Sequence, residues 1–210
     1  MKQISTLVSV SALAATLSSS AFSAIIATAG QAVQIAPPPS AVYGALPGLP
    51  AYCWNEQSGI TTTAMNVNIA GPGSYTGAAP WTGVVSGTFD SHIVHFDASS
   101  GVAAAFGDVW FSSAIRAVIY TNVLLDNTDA TWGAPGTTYP TGDPFRSYGA
   151  SLWQSVVQVS GNHLHFNLWV GGAAFPNRMG ELRVFTDAVP APGALALCGL
   201  AGLVSRRRRR

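Results

Sequence analysis

From Tyr52 onward, apolar positions recur every second residue, the period of a strand with one covered face. Thr61 to Ile69 alternates in this way, and Gly71-Pro72-Gly73 then reads as a turn. Trp81 to Phe89 and Ser91 to Asp97 form two further strands, with a bend or bulge at Asp90. Val102 to Ser112 and Ile115 to Thr121 follow. The clearest hairpin joins Leu152–Val159 to His163–Val170 through Ser160-Gly161-Asn162. In its second strand Leu164, Phe166 and Leu168 share one face, and His163, His165, Asn167 and Trp169 the other. Glu181 to Thr186 is the last strand, with Leu182 and Val184 inward. No stretch of ten or more residues carries a capped helical period. Asn122 to Gly149 reads as a long loop that starts with a helical turn at Val123 to Asp126. The pattern predicts an all-β domain, an antiparallel sandwich of jelly-roll type.

The two ends break this pattern. Lys2 and the uncharged stretch Ile4 to Leu17 have the form of a secretory leader. Cleavage sites fall after Ser23, Ala24 or Ala29. Gln31 to Pro50, with Pro37-Pro38-Pro39, reads as a loose lead-in with one short strand at Ala32 to Ile35. The predicted division is 1–29 leader, 30–50 lead-in, 51–188 sandwich and 189–210 tail.

The tail has three parts: Val189-Pro190-Ala191-Pro192, an uncharged run from Gly193 to Val204, and Arg206, Arg207, Arg208, Arg209 and Arg210. As a helix the apolar run spans about 18 Å, short of the roughly 30 Å hydrocarbon core. The arginines favour the cytoplasmic side. Proline, short apolar segment and basic end in this order resemble the PEP-CTERM sorting signal of Gram-negative bacteria, with Ala191 where that motif has Glu. The resemblance implies export by the secretion machinery and transient anchoring in the bacterial membrane. It also implies processing near Val189 to Gly193 by an exosortase-type protease, and exopolysaccharide as a neighbour. Three segments extend it into the body: Asp90 to Asp97, Leu124 to Asp129 with Gly133 to Gly142, and, more weakly, Glu181 to Thr186. The family implies a β-rich exported protein and no particular activity.

Composition narrows the function. Hydrophobic residues make up 48% and charged residues 9%. Outside the tail and Lys2, Arg116, Arg146, Arg178 and Arg183 face nine acidic residues, a net of −5. An acidic, lysine-free body excludes nucleic acid as a partner. Cys198 lies in the tail, so Cys53 is expected without a disulfide.

Candidate chemistry is sparse. His163 and His165 share a strand face, as two metal ligands would, but lack the following Glu of a cupin pair. His92 and His95, three apart in a strand, point to opposite faces. No metal or other cofactor is expected. Asp126, Asn127 and Asp129 could offer oxygen ligands to calcium, against capping of loop backbone. No Gly-x-Ser-x-Gly elbow occurs, and Asp90, Asp97 and Asp108 could meet only through the fold. Of the six tryptophans, Trp132, with Tyr139, lies in the long loop and is the expected exposed glycan contact. The expected function is a non-catalytic, exported surface or matrix protein. The alternative is a carbohydrate-binding module, and a glycan-directed enzyme ranks third.

Overall fold

The computed structural model describes residues 23–76, 83–97, 103–146, 156–171 and 179–189. The described residues hold twelve strands and one helix: β1 (Ile25–Gly30), β2 (Ala32–Gln34), β3 (Ala51–Asn55), β4 (Ile60–Val67), β5 (Ile69–Ala70), β6 (Gly73–Thr76), β7 (Gly83–Asp97), β8 (Ala103–Phe111), β9 (Ile115–Ile119), α1 (Asn122–Trp132), β10 (Val156–Ser160), β11 (His163–Val170) and β12 (Met179–Asp187). The all-β expectation is met. Sheet A runs β1-β8-β11-β10-β6, and sheet B runs β2-β3-β7-β12-β9-β5, with β4 also on β7. Among the described ladders only β2·β3 is parallel. Both sheets send side chains into one core, where Val109, Phe111, Leu164, Phe166 and Leu168 of sheet A meet Cys53, Val94, Phe96, Leu182 and Val184 of sheet B.

The hairpin turns as expected: Ser160 pairs with His163 across Gly161-Asn162, and β11 alternates between half-buried and buried along its length. The two strands expected around Asp90 are one 15-residue strand, β7. Its partners change there: β4 pairs with Gly83 to Phe89, and β3 with His92 to His95. The irregularity lies on the opposite strand, between Thr62 and Met65.

Three features go beyond the sequence reading. Inside the stretch read as leader, β1 pairs with β8 from Ile25 to Gly30, and Ile25 sits in the core. Gly107 allows this approach, since a Cβ there would lie 2.8 Å from the Ala29 carbonyl oxygen. Second, segment 30–50 is not loose. Beyond β2, Ala41 N–H donates to the Thr138 carbonyl at 2.8 Å, Thr138 N–H to that of Pro39 at 3.0 Å, and Gly48 N–H to that of Asp97 at 3.1 Å. Third, Asn122 to Gly149 is not a plain loop, because α1 fills 11 residues of it. The helix buries Leu125, Thr128, Asp129 and Trp132, the one-faced spacing of an amphipathic helix. Half of that face is polar.

The leader through residue 22 and the tail from Pro190 lie outside the described residues. Among the described residues no helix is long and apolar enough to cross a membrane.

Candidate functional site

The second half of β7 and almost all of β12 are buried on both faces. Sheet A covers one face, and α1 with the chain after it covers the other. Alternation therefore turns Ser91, Ile93, His95 and Asp97 of β7, and Glu181, Arg183 and Phe185 of β12, toward that cover. Charged residues at dry positions need partners, and the cover supplies them. Arg183 grips Glu56 with two parallel bonds of 2.8 and 2.9 Å, then reaches Asp129 at 3.0 Å and the Thr128 hydroxyl at 2.7 Å. Arg146 donates to Glu181 at 2.7 Å, to Asp126 at 2.8 Å and to Asp129 at 2.6 and 3.1 Å. His95 Nδ1 lies 2.7 Å from the other Glu181 oxygen. Both arginine side chains are fully buried.

The electrostatics follow from that geometry. Burial works to raise the Glu181 carboxyl, but Arg146 and His95 outweigh it and hold it at about 2. For Glu56 burial prevails and pushes the carboxyl up, against the pull of Arg183. Both guanidiniums are held above their ordinary value, because the carboxylates outweigh desolvation.

Two sequence expectations fail inside this network. Trp132 is 4% exposed and packs between Phe89 and Phe185. The Tyr139 hydroxyl accepts from Ala134 N–H at 2.9 Å and Trp54 Nε1–H at 3.4 Å, while Arg183 lies over its ring. Neither ring is presented to solvent as a glycan platform; both close the cover over the charges. Asp126 and Asp129 serve arginines rather than calcium, and the Thr141 hydroxyl also binds Asp129 at 2.6 Å.

The outer face of sheet A is different. Alternation in β8 turns Ala104, Phe106, Asp108 and Trp110 outward, and in β11 His163, His165, Asn167 and Trp169. Register places His163 opposite Trp110 and His165 opposite Asp108. One oxygen of Asp108, Oδ1, lies 2.8 Å from His163 Nε2 and 2.9 Å from His165 Nδ1. The His163 ring stacks on Trp110, with centroids 4.6 Å apart and planes 7° from parallel. Burial opposes ionisation of Asp108, but the two imidazoles prevail and lower its pKa. These three groups bond one another, and among the described residues no three histidine, cysteine or carboxylate side chains are arranged to hold an ion. The sequence offered the histidine pair without its carboxylate, because Asp108 reaches them only through strand order.

The remaining candidates stand apart. His92 and His95 face opposite sides of β7, as expected. His92 is wholly buried beside Phe111. Its Nδ1 donates to Asn55 Oδ1 at 2.8 Å, an oxygen fixed by Ile25 N–H, and its Nε2 accepts from Thr186 at 3.1 Å. Burial lowers its pKa to about 3. The fold does not pair the three aspartates. Asp90 accepts from Ser23 and Gly59 N–H at 2.6 and 2.7 Å, Asp97 from Gly44 N–H, and Asp108 serves the histidines. Cys53 is buried and free, and its thiol is pushed up to about 12, out of nucleophilic range. A groove of about 280 Å³ between β4 and α1 is lined by Thr61, Thr62, Asn66, Leu124 and Asn127 among others, with no ionisable side chain. A second, of about 390 Å³, offers Arg116 as its single charge.

Of the predicted sorting residues Val189 closes the described chain; Pro190 to Gly193 and Arg206 to Arg210 lie outside it. Compared with known proteins, the chain matches no family model, no curated protein and no solved structure.

Proposed function

We propose that the chain is a non-catalytic, exported surface or matrix protein, carried outside by its leader and held transiently by a tail that resembles the PEP-CTERM signal. One observation carries this reading: every described strand, from β1 at Ile25 to β12 at Asp187, lies between the two targeting segments. Ser23 to Val189 belong to one compact unit. Its two ends converge on Ser113, whose hydroxyl bonds the Ser23 hydroxyl at 2.7 Å and the Asp187 carbonyl at 2.6 Å. A leader that ends before Ser23 and the tail from Pro190 can both be removed without taking a described strand from either sheet.

The same observation narrows the leader. Cutting after Ala29 would remove most of β1. Cutting after Ser23 or Ala24 would discard a fully buried Ser23, whose N–H holds Asp90. A cut after Ala21 keeps all of these contacts and still has small residues, Ser19 and Ala21, where the peptidase requires them. For the wrapping we propose a jelly-roll-like sandwich. β7 pairs with β12 in sheet B, and their chain neighbours β8 and β11 pair in sheet A, so one two-stranded ribbon crosses between the sheets.

Mass spectrometry of the protein from its native host tests the reading. A mature C-terminus between Val189 and Gly193 is expected, and deletion of Arg206 to Arg210 should release unprocessed precursor from the membrane. Recovery of intact Arg210 from the mature surface protein would overturn it.

A further inference from the structure

The outward face of sheet A is built from the side chains that recognise sugars. Trp110 has one ring face covered by His163. On its other side the neighbouring strand is β1, where register places Ala27 opposite Trp110 and Ala29 opposite Asp108. Both alanines are exposed, and neither is large enough to cover the ring. The result is a lane over β1, floored by small side chains and walled by Phe106, Asp108 and Trp110 at alternate positions of β8. Phe106 is 58% exposed. Four residues of strand separate Phe106 from Trp110, roughly 13 Å, which spans more than two consecutive pyranose rings.

We propose that this lane binds a neutral polysaccharide strand. Sugar rings stack their C–H faces on Trp110 and Phe106, which bury area at low entropy cost. Asp108 accepts sugar hydroxyls through Oδ2, since both imidazoles occupy Oδ1. The imidazoles hold the carboxylate in one orientation, so little side-chain entropy is lost when it binds. Charge decides between glycans. Asp108 is the one charged wall of the lane, and the body around it is net negative, with nine acidic residues against four arginines. An anionic polymer meets repulsion at short range; a neutral chain does not. The choice of a polysaccharide as ligand rests on the export reading, because it supposes a protein outside the cell.

The test uses the full chain, purified in a mild detergent, with titration calorimetry against cellohexaose, β-1,3-glucan hexaose and chitohexaose, and polygalacturonate as the charged control. At least one neutral hexaose should bind. Trp110→Ala should weaken it tenfold or more and Asp108→Asn several-fold, while Thr61→Ala on β4 leaves it unchanged. Circular dichroism checks that the variants are folded, and Asp108→Asn decides the case should Trp110→Ala not fold. Binding by none of the neutral sugars, equal binding by folded variants, or binding of polygalacturonate alone overturns the proposal. So does self-association in the ultracentrifuge that Asp108→Asn or Trp110→Ala abolishes, which would make this face a dimer surface. Recovery of the chain from the cytoplasm with its leader intact would instead sink the export reading and leave these affinities unchanged.

Discussion

The outer faces of the two sheets use similar residues to opposite ends. On sheet B, carboxylates, a histidine and tryptophans are sealed under α1, and Arg183 has its donors engaged. On sheet A one carboxylate and two histidines stand about one-third exposed, as with the 28% of Asp108 and the 38% of His165, beside a half-buried tryptophan. The difference is the cover. The first set is buried, so its charges depend on fixed protein partners, and a missing partner is costly. In the second set water competes for each bond, so the same groups contribute little to stability and remain available to a ligand.

The sharpest way to break this comparison is to remove one guanidinium. Arg183→Met keeps the stem volume but leaves Glu56 and Asp129 facing each other in a dry site. Stripping one partner from a buried ion pair costs about 3–5 kcal/mol, enough to unfold much of the population of a marginally stable domain. Urea denaturation should show a large drop in midpoint or no folded baseline. A loss below about 1 kcal/mol would mean that water reaches the network, and the contrast between the faces would fail.

That network also marks how far the sequence could be read. Strands with one apolar face were legible, because burial and hydropathy coincide in β11, where Leu164, Phe166 and Leu168 go in. α1 was not. Its buried stripe is Leu125, Thr128, Asp129 and Trp132, and polar residues at half of these positions erase the apolar period that identifies a helix. Its acidic residues read as loop chemistry because their partners, Arg146 and Arg183, lie 17 and 54 residues away. The same distance hid the candidate site. His163 and His165 were visible as a pair, but Asp108 joins them 55 and 57 residues back along the chain, and Trp110 stands beside them by strand register alone. Exposure of Trp132 and Tyr139 was inferred from loop composition, and the loop proved to be the lid of the charged layer.

Acid should act on the covered parts before the open face. His92 has its folded pKa lowered to about 3 from an ordinary 6.5, so the unfolded chain binds its proton more readily. Stability from this group is therefore complete above pH 6.5 and falls as pH drops toward 3. The limiting slope is about 1.4 kcal/mol per pH unit. Glu181 adds a second loss at lower pH. Its folded pKa is depressed to about 2 from 4.5, so its contribution is present above 4.5 and disappears as pH falls through 2. Urea midpoints at pH 7, 6 and 5 should decline for the wild type. His92→Gln removes the upper limb, so its stability gap to wild type should narrow by about 2 kcal/mol between pH 6.5 and 5. A gap that stays constant over that range would show that water hydrates His92 in the folded chain.

The smallest effect is expected on the open face. Asp108→Asn removes the carboxylate that both surface imidazoles hold, while keeping shape and an acceptor oxygen. Because all three groups reach water, the exposed-pair range applies and the cost should stay below about 1 kcal/mol. The sign of its pH dependence is also fixed. The folded pKa of Asp108 is lowered, so whatever the carboxylate contributes is present above its ordinary value of 3.8 and fades as pH falls below it. Wild type and variant should therefore differ slightly at pH 7 and converge as pH falls below 3.8. Added salt should shrink the difference at neutral pH, since exposed charges are screened. A loss as large as that of Arg183→Met would place Asp108 in the structural class, and the sheet A face would then be another sealed network rather than a surface free to bind.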